Sequence, residues 1–195
     1  VSHTTKDGLF TFTASMTPRI IKRNKSAGSV FKNALLNNPT NPIYDDNTKN
    51  GFYAWPSAEP GYNIIEQMSE EIDMTEIKLL EWNASAGINI LPLFTPKNNN
   101  MTLKSVISVA QKLVDKFGGY FTPSTYASNI NNAIQGSASR SYDTSTDTNL
   151  EWVTNFSTKI QGHQIRAMAG YSWNYGVASG MSASNQNFDS DLLTF

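Results

Sequence analysis

Leu150-Glu-Trp-Val-Thr-Asn-Phe-Ser-Thr-Lys-Ile160, then Gln161-Gly162, then His163-Gln-Ile-Arg-Ala-Met-Ala-Gly-Tyr-Ser-Trp-Asn-Tyr-Gly-Val177 is the stretch that decides the fold. Reading every second residue of its first arm puts Leu150, Trp152, Thr154, Phe156, Thr158 and Ile160 on one side. Glu151, Val153, Asn155, Ser157 and Lys159 fall on the other. After a tight turn at Gly162 the second arm repeats the division: Ile165, Ala167, Ala169, Tyr171, Trp173, Tyr175 and Val177 alternate with Gln164, Arg166, Met168, Gly170, Ser172, Asn174 and Gly176. A two-residue period places successive side chains on opposite faces of a strand, so this is a β-hairpin with one greasy and one polar face.

The same pattern recurs outward from it. Over 80–90, Leu80, Trp82, Ala84, Ala86, Ile88 and Ile90 oppose Glu81, Asn83, Ser85, Gly87 and Asn89. Near the start, Phe10, Phe12, Ala14 and Met16 alternate with Leu9, Thr11, Thr13, Ser15 and Thr17 in a strand expected to close at Pro18. Residues 101–117 read two ways: as a strand with Met101, Leu103, Ile107, Val109, Leu113 and Phe117 on one face and Ser105, Gln111 and Asp115 as exceptions there, or as a helix capped by Thr102, striped by Val106, Val109, Ala110, Leu113 and Phe117, and stopped at Gly118-Gly119. The long connection 19–72, with Pro39, Pro42, Pro56 and Pro60, exceeds what a compact soluble domain keeps, and 29–38 within it reads as a short helix. Short turns at 91–100 and 161–163 against long loops at 19–72 and 118–136 match the asymmetry of outer-membrane barrels.

The fold class is therefore all-β and antiparallel. Periodicity leaves two architectures open, part of a transmembrane β-barrel wall with long extracellular loops, or a soluble β-sandwich. Strands running past ten residues, and aromatic residues on the apolar faces (Trp82, Trp152, Phe156, Tyr171, Trp173, Tyr175), are what a lipid-facing wall with interfacial girdles requires. Glu81, Asn83, Asn155, Lys159, Gln164 and Arg166 would then face a lumen.

Composition removes several chemistries. A net charge of -1 supplies no field to gather phosphate backbones, so nucleic acid is not an expected partner. The chain has no Cys, hence no disulfide, thiolate zinc site or Cys nucleophile. No apolar run is long enough for a helical span. His3 and His163 stand in unrelated settings, and His163 reads as a turn residue, so no acid–base constellation marks an enzyme and no cofactor is implied. Asp45 and Asp46 form a weak calcium candidate without the alternate-position ligands of an EF-hand, and read first as an exposed turn. The acidic run Glu66, Glu70, Glu71, Asp73 and Glu76 reads as a solvated surface. Tyr53, Trp55 and Tyr62 in the long loop are candidate sugar-stacking residues, set against the plainer role of packing that loop.

Loops and turns add a resemblance. Phe31-Lys-Asn-Ala-Leu-Leu-Asn-Asn-Pro-Thr-Asn-Pro-Ile-Tyr-Asp45, Asn83-Ala-Ser85 leading to Ile90-Leu91-Pro92, Tyr120-Phe-Thr-Pro-Ser124, the segment Lys159, Gly162, His163 and Gly170-Tyr171-Ser172, and Ser182-Ala-Ser-Asn-Gln-Asn-Phe188 with Asp191 and Leu192 follow one another across nearly the whole chain. In that order they resemble SusC-like, TonB-dependent outer-membrane receptors. The sequence departs from that pattern at Leu93-Phe94, in the added residues 96–100, and at Phe156 where a Tyr is usual. The resemblance implies barrel strands at about 4–18, 73–91, 101–117, 137–160 and 163–178, alternating in direction, so 101–117 has to cross as a strand. It also implies a plug domain and further barrel outside these residues, and an outer-membrane location in contact with lipid. The implied partners are TonB, a SusD-like surface lipoprotein, and an oligosaccharide or peptide to import.

Overall fold

The computed structural model describes residues 1–25, 30–36, 38–55, 63–94, 100–126, 130 and 133–192. Strands dominate it: β1 (Ser2–Thr4), β2 (Phe10–Lys25), β3 (Ile72–Asn89), β4 (Met101–Thr122), β5 (Ser137–Ile160) and β6 (His163–Gln186) form one six-stranded antiparallel sheet in sequence order. Short helices α1 (Val30–Leu36), α2 (Ile64–Glu70) and α3 (Leu91–Phe94) lie in the connections. All described strands belong to this sheet, so the second sheet that a β-sandwich needs is not among the described residues. No described helix is long and apolar enough to cross a membrane, which says nothing about strands.

The β5–β6 hairpin turns where its alternation predicts, and its turn has the expected chemistry. Gln161 and Gly162 both take positive φ, 47° and 85°, the signature of a two-residue turn whose twist matches that of the flanking strands. The segment 101–117 is a strand, not a helix, and it continues through Gly118-Gly119 to Thr122. Its hydrogen bonds to both neighbours, Ile90 N to Leu103 O and Lys159 N to Asn100 O, prevail over its helical stripe. Two long neighbours offer every backbone group of β4 a partner, so tertiary pairing overrides local propensity.

Pro18 does not close its strand, because β2 runs on to Lys25 and shortens the 19–72 loop. The reason lies in which way its nitrogen points. Ala14 N–H bonds Val1 O on the β1 side, whereas Leu9 O accepts from Asn89 N on the β3 side. Pro18, an even number of residues from Ala14, turns its nitrogen to the β1 side. The ladder bonds between β1 and β2 reach only as far as Ala14, so the missing N–H of Pro18 removes none of them. Likewise β4 extends past 117, shortening the 118–136 loop, and β6 extends past 178 to Gln186.

Contacts divide the chain into two compact units through which the long strands pass: Val1–Arg19, Lys78–Val114 and Thr144–Ser179 in the first, and Ile20–Ile77, Asp115–Asp143 and Gly180–Phe195 in the second. The buried apolar residues, Trp55, Phe121 and Tyr126, all lie in the second unit. The first unit, which contains the decisive hairpin, buries no large apolar side chain among its described residues. There Trp152 is 46% and Tyr171 60% exposed, and β6 is exposed along its whole length. Such a sheet has two faces and no core.

Candidate functional site

Cross-strand contacts in the first unit fix which side chains share a face. Asn83 Nδ2 donates to Ser15 Oγ at 2.7 Å, and Arg19 pairs with Glu81 at 3.0 Å. Trp82 Nε1 donates to Gln111 Oε1 at 3.1 Å, and Gln111 Nε2 to Thr148 Oγ1 at 3.2 Å. Trp152 Nε1 donates to Ser105 Oγ at 2.8 Å, and Asn149 Nδ2 bonds Asn174 Oδ1. Alternation extends these anchors along every strand. One face collects Phe10, Phe12, Met16, Leu80, Trp82, Leu103, Ile107, Val109, Leu113, Leu150, Trp152, Phe156, Ile165, Tyr171, Trp173, Tyr175 and Val177. The other collects Glu81, Asn83, Asn155, Lys159, Gln164 and Arg166, so each predicted girdle residue and each predicted lumen residue falls with its own group.

Charge divides still more sharply. Over 10–19, 80–89, 101–114, 144–160 and 163–179 every Asp, Glu, Lys and Arg is on the Asn83 face: Arg19, Glu81, Lys104, Lys112, Asp147, Glu151, Lys159 and Arg166. The uncharged run on β3 ends at Lys78, the one formal charge that the described strands of the first unit carry on the Trp82 face. In water an uncharged, aromatic, uncovered face this large would associate.

The polar groups on the uncharged face are tied to one another. The Trp82–Gln111–Thr148 chain spans β3, β4 and β5, and Ser105 Oγ accepts from both Trp152 Nε1 and Thr154 Oγ1. Water would serve these donors if the face were wet. Internal pairing is what a face without water demands, because an unmet polar group in an apolar medium costs several kcal/mol.

No protein-family model matches the chain, and no curated protein matches it. The surfaces themselves must therefore carry the reading.

On the polar face, Glu81, Asn83, Lys112, Asp147, Asn149 and Asn174 line a cleft of about 530 Å³ floored by backbone. It offers carboxylate acceptors, an ammonium and several carboxamides to water or a polar solute, with no titratable pair set up for proton transfer. The uncharged run on each strand can be measured: from Leu80 to Ile88, or from Ile165 to Val177, it covers roughly 27 to 40 Å of strand at about 3.3 Å per residue. A strand tilt of about 40°, such as barrels have, would make that a band roughly 20 to 30 Å tall.

In the second unit the long loop is a packed layer. Trp55 is 6% exposed, so its ring fills the loop's interior and offers no free stacking face; burial of a large apolar surface decides its place. Tyr53 is half-buried, its N–H on Ile43 O and its carbonyl accepting from Asn63 Nδ2, while Tyr62 lies outside the described residues. Asp45 is a turn residue: its Oδ1 accepts from both the backbone N and Nδ2 of Asn47, and Asp46 is exposed beside it. Among the described residues no group of three or more His, Asp or Glu side chains is disposed around a metal position.

The acidic run departs from its expected place on a solvated surface. Glu66 is 1% exposed, held with Glu70 by Asn50 Nδ2, which also donates to Thr125 O. Asn63 caps α2, its Oδ1 accepting from Ile65 N and Glu66 N, and this cap points the helix's acidic side inward. Burial pushes the Glu71 carboxyl above its ordinary range, opposed by hydrogen bonds from Gln67, Tyr120 and Tyr126. Tyr120 is pushed up to about 12, by burial first and then by the nearby Glu71 charge. Sequence reading missed this buried carboxylate network; the one signal for it was Asn50 and Asn63 recurring among turn residues.

Proposed function

We propose that this chain is wall and extracellular loop of an outer-membrane β-barrel of the SusC-like, TonB-dependent kind, and that it serves the import of oligosaccharide or peptide fragments. One observation carries the reading: an unlayered antiparallel sheet whose formal charges, over a band of membrane height, all stand on one face. The uncharged face meets lipid and the charged face meets a wet pore. TonB supplies energy to the parent protein and a SusD-like lipoprotein covers the loops, as the resemblance implies; the chain itself acts passively, as wall and not as enzyme.

Among the described residues no second sheet covers the aromatic face, which favours this over a soluble polysaccharide-binding module.

Because the chain lacks cysteine, single-Cys scanning tests the reading cleanly. In outer-membrane preparations, Cys at 82 to 86 should react with a membrane-impermeant maleimide at 83 and 85, and resist it at 82, 84 and 86. Reactivity without this period of two would remove the membrane wall.

A further inference from the structure

Charges on the polar face of the first unit are not evenly mixed. Toward the loop ends of the strands they balance: Arg19 pairs with Glu81 at 3.0 Å, and Lys112 stands opposite Asp147 in the wall of the same cleft. Toward the tight turn at 161–162 they do not. On the strands there the formal charges are Lys159, Arg166 and Lys104, none with an ion-pair partner among the described residues and all three exposed, while Lys6 and Asp7 stand in the β1–β2 turn at the same end, two strands away from β4.

Their common neighbour is Ser157. With Lys159 N bonded to Asn100 O, and Gly170 packed on Val153, the register sets Arg166 opposite Ser157 on β6 and Lys104 opposite Asn155 on β4. Directly opposed residues stand about 5 Å apart and diagonal ones about 7 to 8 Å, so Lys159 and Arg166 border one patch floored by the Ser157 hydroxyl and the Asn155 carboxamide. Lys104, opposite Asn155, leans its stem away over Gly87 of β3 and adds its charge at longer range. The nearest acid on the strands of this face, Glu151, is six residues up β5 from Ser157, roughly 20 Å, and about 13 Å along the sheet from Lys104, in each case beyond a screening length of about 8 Å.

We propose that Lys104, Lys159 and Arg166 form an anion-attracting collar at the turn end of the polar face, which draws oxyanion groups (carboxylate, sulfate or phosphate) carried by a solute in contact with that face. This rests on the polar face being wetted, as the barrel reading has it, and it adds a preference for acidic solutes that neither alternation nor the resemblance contains. Arg offers a planar fork to two oxygens, Lys two mobile ammonium groups, and Ser157 and Asn155 neutral donors. Only the Coulomb field of the three cations is needed for attraction, and in a confined pore that field is focused.

The collar is read by a thiol at its centre. In outer-membrane preparations, Ser157→Cys is reacted with a sulfonate-bearing methanethiosulfonate and with its trimethylammonium counterpart, and Ser108→Cys, opposite Glu151, serves as the control on the same face. The anionic reagent should win at 157 by about tenfold at low salt, and the preference should reverse at 108. Lys104→Gln, Lys159→Gln and Arg166→Gln together should bring the ratio at 157 near one, and inorganic sulfate should protect 157 more than chloride of equal ionic strength. A ratio near one at unsubstituted 157 overturns the collar. So does a thiol at 157 unreactive to both reagents while 108 reacts, which would mean that an acidic segment of polypeptide covers the patch. Failure of both thiols to react overturns the wetted face itself, and with it the barrel reading.

Discussion

Ala84 and Ser85 are adjacent on β3, both small, half-buried and free of side-chain hydrogen bonds, and they point to opposite faces. Ala84 stands midway in the uncharged run 80–88, about 13 Å of strand from either end, and so roughly 10 Å deep in a tilted wall. Lysine at that depth on a lipid face costs about 2 to 4 kcal/mol, whereas a lysine on the wetted face, as at 85, belongs to the class of surface changes worth within about 0.5 kcal/mol. Ala84→Lys should therefore lower the folded-to-unfolded ratio by roughly 30- to 1000-fold relative to Ser85→Lys. Urea unfolding of the protein in lipid vesicles, followed by tryptophan fluorescence, measures the difference. The substitutions share residue type, strand and height, so propensity, net charge and chain entropy cancel between them. Equal cost at 84 and 85 would refute the assignment of faces, and greater cost at 85 would invert it.

Two further outcomes follow from the hydrogen-bonded groups. Trp82→Phe leaves Gln111 Oε1 without its donor and should cost about 1 to 3 kcal/mol in vesicles, while adding Gln111→Leu should restore part of that loss; additive single costs in this double-mutant cycle would show that the pair does not interact. Tyr120, pushed up to about 12, favours its neutral form in the folded state: the stability it contributes is whole below about pH 10 and is lost as pH rises toward 12. Glu71 behaves alike at lower pH, its contribution present when protonated and lost as pH climbs past the ordinary carboxylate range. Glu71→Gln should bring the phenol's titration, read by ultraviolet absorbance, down toward 10, and an unmoved midpoint would leave burial as the sole cause.

The faces were legible because a two-residue period is a property of the strand alone: Leu150 to Ile160 and Ile165 to Val177 state their own sides without reference to any partner. Strand ends were less so. Pro18 reads as a stop because a proline forfeits one backbone bond, and only the reach of β1, whose ladder bonds to β2 stop at Ala14, shows that none of them is lost. Gly118-Gly119 reads as a helix stop until β5 is seen lying beside β4, with Ser141 against Gly118. The loop layer was hidden for a related reason. Glu66 and Glu70 look solvated in sequence, and it takes Asn50, folded back from another turn, to give their oxygens a donor.

That difference separates two kinds of stability in one chain. The loop unit has buried aromatic rings, a capped helix and amide donors for its carboxylates, the means by which polypeptide holds together in water. Among its described residues the hairpin unit has no buried aromatic ring and no capped helix; Trp82 and Trp152 donate sideways to Gln111 and Ser105, Trp82 half-buried and Trp152 exposed. A hydrophobic core cannot be what orders it, since burial at about 25 cal/mol per Å² stabilises only surface that is actually removed from water. What remains is the backbone ladder and whatever covers the uncharged face. Ladder bonds net roughly 1 kcal/mol each in water but several when water is excluded, so these strands gain most where the medium on their uncharged side offers no competing donor or acceptor. On the proposed wall reading, hydrocarbon would solvate the apolar face in place of a core.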